Sequence, residues 1–388
     1  MAGKTTITLP LLRLGRLRLD HGLRDLPVGP AASGPVVTAT VSVPDTPVDR
    51  SYEWDVAWAD AARQASQLGA DQATAEALPT GAGQPVAGGT RVVVAAHGEV
   101  LLARWLPSGT GAISVRVGPL PHLLEVAAAA ARRPAYVVVL ADREGTDILV
   151  HAGGDQSAAE RFPVGRRPGA QSDPHPGRPP GQLHGERHLT DREPESGGEH
   201  NAEFIAGRVA QAAEGAGAHV ILGGGDQHIL DAVAGHLPES LGPVTTIAAG
   251  RAPDDRLSAA IDAALDEITA EAISGVGDLV AARAGGPGQG AVRGIGAVAD
   301  QLAEQQVAVL LVAADLAGEA DPGSSYRIGS RPTEFLVGQS DAGTEVPLAD
   351  GMVWAALHQD AIVVQLAERT GPLAGESVAA LLRRGPVA

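Results

Sequence analysis

The chain of 388 residues contains no cysteine, one lysine (Lys4), three phenylalanines, three tyrosines and four tryptophans. Without thiols it has no disulfide framework, no thiolate nucleophile and no zinc–thiolate site. The 28 arginines that stand against the single lysine suggest a high-GC coding bias, so arginine at any one place is weak evidence that a guanidinium was selected there. Long apolar runs are also missing. The windows Val92 to Ala96 and Val307 to Ala314 fall far short of the roughly 20 residues a helix needs to cross a bilayer. The opening MAGKTTITLPLLRLGRLRLDHG lacks the basic, apolar, small-residue order of a signal peptide, and a cytoplasmic protein is expected. Positive charge is scarce overall: the formal net charge of -17 excludes a protein that coats nucleic acid over its whole surface. Local basic contacts remain open. Lys4, Arg13, Arg16, Arg18 and Arg24 outnumber Asp20 and Asp25 in the first thirty residues, which read either as a solvated terminal segment or as a basic contact. No G-x-S-x-G elbow, no H-E-x-x-H and no carboxylate pair in an apolar setting occurs, so the residues give catalysis no support.

With 44% apolar residues the chain can build real cores, and its length predicts two or three domains. A basic segment, 1–34, precedes a first α+β domain, 35–133. There PVVTATVSV (Pro35 to Val43) alternates as a strand, and Trp54, Ala57, Trp58, Ala61, Ala62, Ala65 and Leu68 recur at helical spacing. Strands at Thr90 to Ala96, Glu99 to Leu106 and Ile113 to Val117 and a helix from Leu120 to Arg133 complete it. A middle domain, 134–267, opens with a hairpin, Tyr136 to Ala141 and Asp147 to His151. A helix from Glu199 to Gly215 follows, with Phe204, Ile205, Val209 and Ala212 on one face, and then strands and helices alternate in a pattern that implies parallel pairing. The last domain, 268–388, reads as an α/β/α layer with a strand at Val307 to Ala313, a hairpin around Tyr326 to Val337, a helix at Leu348 to His358, a strand at Ala361 to Leu366 and a final helix at Glu376 to Arg383. The fold class is thus α/β and α+β in three domains, the middle one with a mixed sheet and a long loop.

That loop, PVGRRPGAQSDPHPGRPPGQLHGERHLTDREPESGG (163–198), holds only Val164, Leu183 and Leu189 as large aliphatics and buries too little apolar surface to offset its ordering entropy. It is either a tolerated surface loop or a probe held toward a partner. Arg166, Arg167, Arg178, His184, Arg187, His188 and Arg192 suit RNA, as phosphate forks and stacking planes on a pliable backbone; Asp173, Glu186, Asp191, Glu193 and Glu195 offset the arginines. His175, His184 and His188, with Asp173 or Asp191, form a weak metal-ligand pattern without an evident buried support. Gly223-Gly224-Gly225-Asp226, where a strand enters a helix, has the placing of a phosphate cradle but no P-loop lysine. The acidic residue at the helix start accounts for itself as a cap. Asp142, Glu144 and Asp147 cluster around a hairpin turn and read as solvated.

YVVVLADREGTDILV (136–150), the long loop, EHNAEFIAGRVAQAAE, HVILGGGDQHILDAV and PVTTIAAG, in this order, resemble the middle domain of archaeal and eukaryotic peptide-chain release factors and of Pelota. RGIGAVADQLAEQQVAVLLVAADL (293–316) is similar to their carboxy-terminal domain. TATVSVPDT (38–46) and RVGPLPHLLEV (116–126) look like the amino domain of bacterial archaeo-eukaryotic release factor-like proteins, common in actinobacteria. The resemblance covers roughly residues 35 to 388. In release factors the loop before the long helix carries Gly-Gly-Gln, which orients water for peptidyl-tRNA hydrolysis. Here Gly181-Gln182 follows proline, Gly197-Gly198 precedes Glu199, and Gly288-Gln289 lies in another domain. The resemblance therefore implies a non-enzymatic ribosome-binding protein, akin to the Balon-like stress and hibernation factors that occupy the aminoacyl-tRNA site. Its partners would be the 70S ribosome, through the RNA of both subunits, and for some members elongation factor Tu, with no cofactor, membrane or DNA. The loop residues above, with Pro44, Asp45, Thr46 and Arg50 on the amino domain, are the implied RNA contacts. Two alternatives stand beside it: a rescue factor or nuclease of the Pelota type, and a stress-induced protein-interaction module. Purified protein added to stalled ribosome–nascent-chain complexes is expected to release no peptide and cut no mRNA; release of either product favours the rescue enzyme.

Overall fold

In the computed structural model the described residues are 9–19, 21–26, 34–43, 50–86, 88–107, 113–142, 145–151, 160–164, 195–250, 255–284, 290–318, 326–329, 335–337 and 343–383. They form two compact units, one of the described residues within 1–134 and 266–388, the other of those within 135–265. The amino and carboxy parts read from sequence as separate domains therefore share one unit.

In that unit two single turns, α1 (Leu9–Leu12) and α2 (His21–Arg24), precede β1 (Val36–Ser42), α3 (Arg50–Gln67) and α4 (Gln72–Ala77). Then come β2 (Gly89–Ala96), β3 (Glu99–Pro107), β4 (Ser114–Gly118) and α5 (Leu124–Ala131). The sheet runs in the order β3-β2-β1-β4 and is antiparallel throughout. The period-2 alternation sends Val37, Ala39 and Val41 to one face, where Trp54, Trp58, Ala61 and Ala65 of α3 cover them. Small residues one turn apart on α3 leave room for the indoles, and Trp54 stacks on Trp105 at 5.5 Å and meets Trp58 edge-on at 5.7 Å. The opposite face of the sheet, Val36, Val92, Val94 and Ala96, is buried too.

The second unit contains β5 (Tyr136–Ala141), β6 (Thr146–His151), β7 (Glu160–Val164), α6 (Glu195–Ala216), β8 (Val220–Gly225), α7 (Gln227–His236) and β9 (Val244–Thr246). Its sheet order is β7-β6-β5-β8-β9, with β5, β8 and β9 parallel and β6 antiparallel to both neighbours. The helix over α6 is longer than expected, and its buried stripe is Ala202, Ile205, Ala206, Val209 and Ala213. Phe204 is not on that stripe: it is 40% exposed, because one residue's step of about 100° turns it away from Ile205.

A long helix, α8 (Asp255–Arg283), leads back to the first unit and to β10 (Ala291–Arg293), α9 (Ile295–Ala303), β11 (Val307–Ala313), β12 (Tyr326–Ile328), β13 (Phe335–Val337), β14 (Thr344–Glu345), α10 (Leu348–His358), β15 (Ile362–Leu366) and β16 (Val378–Leu382). The sheet β10-β16-β11-β15 pairs β11 with β15 in parallel and is otherwise antiparallel. Ala272, Val276 and Val280 of α8 cover one face, and α9 and α10 the other, giving the expected α/β/α layer. The last element corrects the sequence reading. ESVAALLRR has the composition of a helix, but Val378–Leu382 is a strand with a partner on each side, and pairing overrides local propensity.

Every residue of α10 from Leu348 to Leu357 is buried, the mark of a helix enclosed on all sides. It shares a core with α5 and with the second face of the amino sheet. Across that core His122 Nδ1 and Asp350 Oδ1 form a hydrogen bond of 2.6 Å, with side chains only 11% and 8% exposed, while the His122 amide donates to Thr38 Oγ1 at 3.0 Å. All four tryptophans lie in this unit, at 54, 58, 105 and 354, so their emission follows its unfolding alone. His122→Ala strands a buried carboxylate and is expected to lower the unit's stability by about 2 kcal/mol, read as an earlier tryptophan transition in urea; an unchanged midpoint removes the bond from the account of this core.

Candidate functional site

The middle unit gathers its polar features at one end of its sheet. Val164 pairs with Thr146, Thr146 with Ala141, and Ala141 with Gly225, so the carboxyl ends of β5, β7 and β8 lie in a row. Open α/β sheets receive ligands at this edge. The loop that follows β7 leaves from it. α6 must run toward the opposite edge, since its end at Ala216 is joined to β8 by three residues. Its 22 residues span about 33 Å beside six-residue strands of about 20 Å. The start of α6 therefore overshoots the sheet by roughly 13 Å.

The glycine-rich turn beside it is explained by packing. A Cβ on Gly225, whose φ is +105°, would stand 2.0 Å from the Ala141 carbonyl oxygen, and one on Gly224 would stand 2.7 Å from that of Ala249. The Asp226 amide donates to Ala141 O at 2.8 Å. Its carboxylate accepts from the His228 amide at 3.0 Å and so fills the start of α7. An anion at this position would face a negative charge, which leaves the turn structural. The neighbouring Gln227 donates to Asp231 at 2.7 Å and accepts from Thr246 Oγ1 at 3.4 Å, and Asp142 closes the β5–β6 turn by accepting from the Gly145 amide at 3.0 Å. Asp147, read from sequence as solvated, is buried at 3% exposure: it stands one position inside the strand end, beside Leu140 on the face opposite Ile148. Burial of an acidic strand residue has no signature in the sequence.

The loop residues Arg166, Arg167, Arg178, His184, Arg187, His188 and Arg192 lie outside the described residues, as do Pro44, Asp45 and Thr46 and the metal-ligand pattern of Asp173, His175 and Asp191. Arg50 is the first residue of α3, and its side chain also lies outside them. Among the described residues no cluster of histidine, aspartate and glutamate could hold a metal ion. No helix among them is long and apolar enough to cross a membrane.

Residues 135–286 match the model of bacterial archaeo-eukaryotic release factor family 2. No curated protein matches. Among solved structures, the chain is similar to ribosome-bound archaeal Pelota (14% identity, 96% of each chain covered, TM-score 0.41) and to Archaeoglobus fulgidus Pelota (14%, 98% of this chain and 94% of that one, TM-score 0.32). A translation termination-like factor of S. cerevisiae is similar at 9% identity over 77% of this chain and 81% of that one, with a TM-score of 0.37.

Gly225→Ala is expected to destabilise the protein by about 3 kcal/mol, through a forced shift and a left-handed residue, and Asp226→Ala by about 1 kcal/mol. Hydrogen exchange of the β8 amides measures both, and full protection in Gly225→Ala contradicts the packing account.

Proposed function

We propose, from the match of residues 135–286 to bacterial archaeo-eukaryotic release factor family 2, that this protein binds the ribosome in the aminoacyl-tRNA site and blocks tRNA entry without hydrolysing peptidyl-tRNA. The observation that carries the reading is the loop of 163–198. Its described flanks are β7, which ends at the carboxyl edge of the middle sheet, and the start of α6, and its sequence has no Gly-Gly-Gln. A loop so placed can contact RNA, but it lacks the tripeptide that would orient a hydrolytic water. Occupancy of that site protects an idle ribosome, which fits a stress or hibernation role in the cytoplasm. Its arginines and histidines would meet large-subunit RNA, and the amino part with Pro44, Asp45, Thr46 and Arg50 would meet RNA of the small subunit. Elongation factor Tu is a partner under this proposal, as the bacterial counterpart of the GTPases that accompany release factors.

A rescue factor of the Pelota type would share the family, the site and the absence of Gly-Gly-Gln. It differs in requiring a stalled complex rather than an idle one. Sedimentation of stationary-phase extract at low salt tests the proposal: the protein is expected with the 70S peak, weakened when the loop arginines are reversed to glutamate. Its recovery only at the top of the gradient contradicts ribosome binding, and binding only to stalled, mRNA-bearing ribosomes favours rescue.

A further inference from the structure

The described residues of the basic amino-terminal segment, 9–19 and 21–26, are docked in the first unit. Leu14, Leu17, Leu19, Leu23 and Leu26 are each at most 7% exposed. The Gly15 amide donates to Ala131 O at 2.9 Å, and a Cβ at Gly15 would stand 1.9 Å from Ala130 O, so only glycine lets the backbone lie against the end of α5. Between these anchors Arg16 and Arg18 are exposed. The Arg24 carbonyl lies 3.2 Å from His358 Nε2, and the Arg24 guanidinium pairs with Asp360 at 3.0 Å.

Arg16, Arg18, Leu19, His21, Arg24 and Asp360 line a cleft of about 350 Å³. Arg383, hydrogen-bonded to the Gln359 carbonyl, stands close by. Partial burial first, then the charges of Arg383 and Arg18, lower the Arg16 pKa against the opposing pull of Asp360. Asp360 is already matched by Arg24. Arg16 and Arg18 make no hydrogen bond or ion pair with any other described residue. A rigid backbone thus holds like charges together on a chain of net charge -17, at an electrostatic cost that an anion would relieve.

Guanidinium forks match the oxygens of phosphate. Among the described residues that line it there is no Phe, Tyr or Trp, and Leu19 is the only apolar one, so they have little to hold a base and nothing to read one. We propose that this cleft binds the phosphate backbone of RNA without regard to sequence, through Arg16 and Arg18. The choice of RNA over another phosphate ligand rests on the ribosome reading above; the anion site itself rests on the cleft.

Fluorescence anisotropy of a labelled twelve-residue polyuridine with the full-length protein tests the inference. Arg16→Glu/Arg18→Glu is expected to weaken binding at least tenfold, and Arg16→Lys/Arg18→Lys by less. Arg16→Ala/Arg18→Ala should make the slope of log affinity against log salt shallower by about 1.4, at about 0.7 for each phosphate no longer neutralised. Loss of the two like charges removes a repulsion, so the tryptophan unfolding transition should not move to lower urea. No binding by the unaltered protein, an unchanged affinity and salt slope in the glutamate variant, or displacement of the RNA by pyrophosphate at equal phosphate concentration overturns it; the last outcome marks a site for small phosphates. Ribosome sedimentation of the same variant separates the two proposals. Ribosome binding with unaltered oligonucleotide affinity sinks this one alone, whereas oligonucleotide binding lost in the variant without any ribosome binding by the unaltered protein sinks the other.

Discussion

The burial of α10 on every side is the constraint on which the first unit depends. An amphipathic helix needs one apolar neighbour, but Leu348–Leu357 has no face left for water, so its neighbours must come from more than one part of the chain. They come from α9 and the carboxy-terminal sheet on one side and from α5 and the amino sheet on the other. This is why an antiparallel sheet that could have exposed one face buries both, and why residues more than two hundred positions apart share a core. A buried polar link across it, His122 to Asp350, adds register to non-directional packing. Gln359 does the same at the end of α10, accepting from the Val307 amide at 3.0 Å and donating to the Leu302 carbonyl at 3.2 Å and the Ala355 carbonyl at 3.1 Å.

Legibility in the sequence followed the range of the forces involved. The strand Val307–Ala313 and the helix Leu348–His358 were readable to the residue, because apolar runs of the right length end at turn-forming neighbours. The β5–β6 hairpin was clear to within one residue. The strand Val378–Leu382 was not, since its partners β10 and β11 lie far back in sequence and its own residues favour a helix. Nor was the joining of the amino and carboxy parts: alternation in Pro35 to Val43 predicts a strand with two kinds of face, and nothing local says that both are covered.

The same limit governs the sites. The glycines at 223–225 allowed a phosphate cradle or a tight turn, and only the approach of the Ala141 and Ala249 carbonyls decides for the turn. Five leucines between Leu14 and Leu26 held the information that the basic segment is docked, but with no regular helical or strand period they did not announce it. The grouping of Arg16 and Arg18 with Asp360 and Arg383 joins the two ends of the chain and has no trace in local sequence. By contrast the missing Gly-Gly-Gln is wholly a sequence fact, and it carries most of the chemical content of the functional reading. The structure adds the placing of its described flanks: β7 ends at the carboxyl edge of a sheet, and α6 is longer than that sheet requires.

Ribosome binding without hydrolysis is therefore a claim about where one loop goes and what it lacks. A map of 70S ribosomes purified from starved cells tests it most directly. The account predicts density for this chain in the aminoacyl-tRNA site, with residues 163–198 ordered against large-subunit RNA and any peptidyl-tRNA intact. Density elsewhere on the ribosome, or the chain in that site with the segment 163–198 turned away from RNA, would contradict it.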